Sequence, residues 1–133
     1  MGNVRLTVRI DFGAERALGP GKIRLLEAIG KTGSISRAGR ALGMSYRRAW
    51  LLVDDMNRSF RAPVVATQPG GARGGGAVLT PFGRGLIENY RAIEARATAA
   101  AKFHLQALEK SLRRQRARAK KPLKTSIRAA TAR

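Results

Sequence analysis

There is no cysteine among the 133 residues. Disulfides, thiolate metal sites and cysteine nucleophiles are therefore excluded. A single histidine, His104, is too little for a multi-histidine metal centre, so neither metal nor cofactor is expected. Aromatics are 5% of the chain, which leaves the core to aliphatic residues and alanine. The eight acids are few and scattered, and His104 has no evident partner. No catalytic residues can be assembled from this set, so an enzyme is not expected. No segment approaches the ~20 apolar residues that span a bilayer. The N-terminus also lacks the apolar run of roughly 7–15 residues that marks a secretory signal. A cytoplasmic protein without membrane contact is the expectation.

What is abundant is positive charge. Lys and Arg number 27 against 8 acids, a net +19 with a pI near 11.9. A domain this basic has the footprint of a nucleic-acid binder, with an anionic membrane surface as the other polyanion to weigh. Ten of the cations lie in residues 110–133, which hold no acid. The remaining seventeen lie in residues 1–109, against all eight acids, so the body is basic without the tail.

Val4, Leu6, Val8 and Ile10 alternate with Arg5, Thr7 and Arg9, a period that predicts a half-buried strand. Gly19-Pro20-Gly21 then opens a helix with Ile23, Leu26, Ala28 and Ile29 on one face. Ser34 or Ser36 can cap a second, short helix carrying Ile35, Ala38, Ala41 and Leu42, closed by Gly43. Ser45 caps a third helix, to about Ser59, with Ala49, Val53 and Met56 on its apolar face. Two helices about a short glycine turn are the helix-turn-helix pattern, although a plain helical hairpin shares it. In the former, the first residues of the second helix meet base edges. Here they are Ser45, Tyr46, Arg47 and Arg48. The guanidinium matches the paired acceptors of guanine and also binds phosphate.

Residues 64–80 place Val64-Val65 and Ala77-Val78-Leu79-Thr80 about a glycine-rich stretch, which predicts a hairpin wing with Arg73 at its tip. No Gly-Lys-Ser/Thr occurs there, so a phosphate-binding loop is disfavoured. Thr80 and Pro81 begin a helix expected to reach about residue 112. Its apolar residues Leu86, Tyr90, Ile93 and Ala97, continued by Leu105 and Leu108, predict a face shared with a second copy. Residues 110–133 read as a basic, disordered tail that adds phosphate contacts. The domains expected are thus 1–109 and 110–133.

Taken together, Gly-Ser-Ile-Ser (33–36), Met-Ser-Tyr-Arg-Arg-Ala-Trp (44–50), Met-Asn (56–57), Gly-Gly-Ala-Arg-Gly-Gly-Gly-Ala-Val-Leu-Thr (70–80) and Gly-Arg-Gly-Leu-Ile-Glu-Asn-Tyr (83–90) carry a resemblance. Over roughly residues 4–105 the chain resembles the DNA-binding domain of the ModE family. These are molybdate-responsive repressors whose winged helix-turn-helix is related to that of the LysR family. The resemblance implies that Ser45, Tyr46, Arg47 and Arg48 read DNA, with Ser34, Ser36 and Arg37 near phosphates. It implies a wing at about 64–80, a dimer made by the following helix, and Trp50 packed near the helix–wing junction. Full-length members carry C-terminal molybdate-binding domains. This chain resembles the stand-alone forms that keep the DNA-binding half, so molybdate is not expected to bind it. The expected fold is mainly α with a small β-hairpin, a winged helix-turn-helix with a long C-terminal dimerisation helix. The expected function is a homodimeric, sequence-specific regulator on palindromic double-stranded DNA. An architectural, nucleoid-type binder is the alternative.

Overall fold

The computed structural model describes residues 4–68 and 76–114. Chain contacts divide the molecule into a unit of Arg5–Lys102 and a second unit whose described residues are Val4 and 103–114. The elements are β1 (Ile10–Phe12), β2 (Arg16–Leu18), α1 (Pro20–Thr32), α2 (Ile35–Ala41), α3 (Tyr46–Ser59), β3 (Val65–Gln68), β4 (Gly76–Leu79), α4 (Pro81–Ala100) and α5 (Lys102–Lys110). Mainly α with two small antiparallel sheets, this is a winged helix-turn-helix.

The alternation over residues 4–10 is present in burial but not in pairing. Leu6, Val8 and Ile10 are half-buried while Arg5, Thr7 and Arg9 are exposed, yet pairing starts only at Ile10. The partner strand is Arg16–Leu18, returned by a turn in which Gly13 takes φ 77°. Period two reports which face is covered. It does not report whether a neighbouring strand is within reach.

The core is aliphatic, as the scarcity of aromatics requires. Ile23, Leu25, Leu26 and Ile29 of α1 meet Ile35 and Ala38 of α2 and Ala49, Val53 and Met56 of α3. Ala41 and Leu42, expected on the α2 apolar face, are exposed, and the close packing is made by Gly39 instead. Tyr90 of α4 is the large aromatic member of the core. Its ring is 1% exposed and its hydroxyl donates to the Val8 carbonyl at 2.6 Å. Burial, aided by Glu94, pushes the phenol up and keeps it a donor.

Arg91 ties α4 to α1. Its Nε and Nη2 donate to the two Glu27 oxygens at 2.9 and 2.7 Å, and its Nη1 donates to Glu94 at 2.7 Å. Those hydrogen bonds hold the Glu27 carboxyl below its ordinary 4.5, against the opposing effect of burial. A carboxyl depressed by folding adds stability above its unfolded value and loses it as pH falls through its folded value. The urea midpoint is therefore expected to drop between about pH 5 and pH 3. Glu27→Gln, followed over the same range, is expected to flatten that part of the pH profile.

Where one helix to about residue 112 is expected, α4 ends at Ala100. Ala101 takes φ −95°, ψ 7°, off the helical ψ, and α5 begins at Lys102. Alanine-rich composition favours a helix but is only a weak determinant of where it ends.

Candidate nucleic-acid interface

The turn between α2 and α3 is a Schellman motif built by Gly43. Its φ of 75° lets its own N–H reach the Arg40 carbonyl at 3.1 Å and the Met44 N–H reach the Gly39 carbonyl at 2.9 Å. Met44 is thereby folded under the turn and packs against the core. The two helices cross where Gly39 faces Ala49. A Cβ on Gly39 would lie 2.9 Å from the Ala49 Cβ. A helical hairpin needs no such contact, whereas this one fixes the angle at which α3 is presented.

Ser45 caps α3, its Oγ accepting the Arg48 N–H at 3.0 Å. Its own hydroxyl proton remains free to donate. Tyr46 is 60% exposed and stacks edge-on against Trp50, 6.4 Å between centroids. Arg47 and Arg48 are exposed, and no acid among the described residues pairs with either. The first turn of α3 holds no acid, so the positive end of the helix dipole adds to both charges. The acids farther along are occupied. Asp54 pairs with Arg58 at 2.7 Å and Asp55 with Lys22 at 2.8 Å. Ser45, Arg47 and Arg48 are brought together around one shallow cavity of about 290 Å³.

On α2, Ser34 accepts the Arg37 N–H at 3.0 Å and is half-buried, as is Ser36, while Arg37 and Arg40 are exposed. Arg40, which carries no expectation from spacing, is a second cation on this short helix without an acidic partner among the described residues. Trp50 is 37% exposed, with Tyr46 as its aromatic neighbour. The wing itself pairs Val65 with Leu79 through Gln68 with Gly76. Its base is fastened at three points. Ala77 N–H donates to the Gly33 carbonyl at 2.9 Å, at the corner between α1 and α2. Thr80 donates its N–H to Val64 and its hydroxyl to Pro63, at 3.0 and 2.7 Å. Asn57 of α3 accepts the Val64 and Val65 N–H groups at 2.7 and 3.3 Å and donates to the Val65 carbonyl at 3.2 Å. Asn57→Ala leaves these backbone groups of the buried Val64 and Val65 unpaired, at an expected cost of about 1–3 kcal/mol in urea unfolding. Arg73 lies outside the described residues.

The face assigned to a second copy divides. Tyr90 is a correction: it is consumed by its own core and offers nothing to a partner. The heptad-like spacing placed it correctly on an apolar stripe but could not say which chain covers that stripe. Leu86 is half-buried against the same core. Ala97 and Leu105 are half-buried, and Ile93 and Leu108 are exposed. Phe103, which the spacing skipped, is 77% exposed.

The family of bacterial regulatory helix-turn-helix proteins, lysR family, matches residues 21–84. The match runs from α1 through the wing into α4. The domain is thus a LysR-type regulatory helix-turn-helix.

Within that class the relatives are narrower. The chain is 54% identical over 95 residues to the molybdenum-pterin-binding protein MopB of Rhodobacter capsulatus, covering 71% of this chain and 34% of that one. It is 43% identical over 90 residues to the molybdenum transport protein ModE of Azotobacter vinelandii, 68% of this chain and 33% of that one. The DNA-binding transcriptional dual regulator ModE of Escherichia coli is 42% identical over 71 residues, 53% of this chain and 27% of that one. The chain spans about a third of the length of the first two. Over its N-terminal part it is similar to the corresponding third of these Mop and ModE proteins. Among the described residues no helix is long and apolar enough to cross a membrane.

Proposed function

We propose that this chain is a sequence-specific transcription regulator that binds double-stranded DNA as a homodimer on a palindromic operator. The observation that carries the reading is the exposed, acid-free start of α3. There Arg47 and Arg48 stand beside Ser45 and Tyr46 with no acidic partner among the described residues, while Asp54 and Asp55 are neutralised farther along. Such an end suits the major groove, where Arg meets guanine bidentately. Ser34, Ser36, Arg37 and Arg73 are proposed to hold phosphates and so to position α3 without reading sequence. Ile93, Ala97, Leu105 and Leu108 are proposed for the dimer, with exposed Phe103 added and both Tyr90 and the core-packed Leu86 left out. Residues 1–109 act as the DNA-binding part and 110–133 as a basic arm. No catalysis is proposed, and no molybdate site, since the kinship lies in the helix-turn-helix.

One observation favours a second reading, an architectural binder with little sequence preference. Residues 110–133 carry ten cations and no acid, enough for strong binding to any duplex. Selection from a random duplex pool separates the two. Gel shifts follow at about 150 mM salt with excess competitor DNA. The regulator reading expects a palindrome whose half-sites lie ~34 Å or a multiple apart, giving one surviving band. Enrichment of no sequence supports the architectural reading.

A further inference from the structure

We propose that Leu51 reads the 5-methyl group of a thymine in each operator half-site, beside the base contacted by Arg47. This rests on the regulator reading above and extends it from charge to base identity. Leu51 is 54% exposed on α3. It sits about 200° around the helix from the buried Ala49 and again from Val53, so it stands opposite the core-facing row. Arg47, one turn earlier, shares that outward side. Leu51 and half-buried Leu52 form the apolar part of the 290 Å³ cavity, whose other walls include Lys22, Ser45, Arg47 and Arg48. Asp55 also borders it, held by Lys22 at 2.8 Å. The result is a small oily patch ringed by cations on the face proposed to enter the groove.

The partner follows from complementarity. The cationic ring suits a polyanion. Within the major groove the base edges are donors and acceptors, and the thymine methyl is the apolar projection. Seating Leu51 on any other base edge would bury a polar group without a partner, which is costly. Seating it on a methyl removes apolar surface of both from water. Four residues of helix rise about 6 Å, so the thymine falls within about two base pairs of the Arg47 contact.

Deoxyuridine, which lacks only that methyl, provides the test. A duplex is first selected from a random pool with the whole chain. Each thymine is then replaced singly by deoxyuridine, and affinity is measured by anisotropy. Trp50, the chain's only tryptophan, gives a second signal by fluorescence. One position per half-site is expected to weaken binding about fourfold, the value of one buried methyl. Leu51→Ala is expected to bind the thymine and deoxyuridine duplexes equally. Leu51 is a surface residue, so this variant is expected to keep the wild-type unfolding midpoint. Insensitivity to deoxyuridine at every position overturns the inference and leaves the regulator reading standing, as does an unchanged sensitivity in Leu51→Ala. Failure to enrich any duplex overturns both.

Discussion

Gly83→Ala is expected to destabilise the protein by about 3 kcal/mol or more, against the usual sign of such a change. In an exposed helix Gly→Ala stabilises by about 1 kcal/mol. At Gly83 the added Cβ would run into the Val64 carbonyl. Neither side has room to yield. Gly83 N–H is held by the Thr80 hydroxyl at 2.9 Å, and the Val64 carbonyl already accepts the Thr80 N–H at 3.0 Å. Moving either one loosens α4 from the strand that begins the wing. Gly85, two residues on, provides the control, because a Cβ there meets nothing within 4 Å. Urea or thermal unfolding of the two variants is expected to give opposite signs, Gly85→Ala gaining up to about 1 kcal/mol. A Gly83→Ala protein as stable as wild type would mean that α4 does not sit this close to β3.

The paired substitution Arg47→Ala/Arg48→Ala is expected to weaken binding to a selected operator about a hundredfold or more. A bidentate Arg–guanine contact discriminates by about 1–3 kcal/mol, and two such losses at separate bases combine roughly additively. On random DNA the same variant loses four phosphate-range charges per dimer but no base contact, so its loss is expected to be at least about tenfold smaller than on the operator. Both values come from anisotropy at one fixed salt concentration, since the electrostatic part shifts steeply with salt. Equal losses on both DNAs would assign the two arginines to the backbone and not to bases.

These two variants probe different ends of one arrangement. Gly39 against Ala49 and Gly83 against Val64 are places where absence of a side chain lets elements approach closely. They set where α3 and the wing stand relative to the core. Arg47, Arg48 and Leu51 need that placement, because a misaimed helix start cannot meet base edges at hydrogen-bond distance.

Local chemistry was legible in the chain. Ser34, Ser45 and Thr80 cap helices as their types and positions suggest, because a cap is decided within four residues. Gly43 was legible for the same reason, and so was the buried row Ala49, Val53 and Met56. What depends on distant segments was not. Asn57 looks like an ordinary late-helix residue until β3 arrives to meet it. Tyr90 finds Val8, 82 residues away, and nothing in its spacing announces that partner. The β1–β2 hairpin was missed because its three-residue strands are too short to show a period. Leu51 lies off the buried row of Ala49, Val53 and Met56, and spacing alone gives such a residue no role. Its meaning depends on the cations around it, which come from α1 as well as α3.

The most direct measurement of the central claim is methylation interference on the selected duplex. Dimethyl sulfate marks guanine at N7 in the major groove and adenine at N3 in the minor groove. If the start of α3 reads the major groove, N7 methylation at one or two guanines per half-site abolishes binding of the wild-type chain. Arg47→Ala/Arg48→Ala, tested at higher protein concentration, no longer senses those guanines. Interference confined to adenine N3, or none at any base, would contradict base readout by this helix.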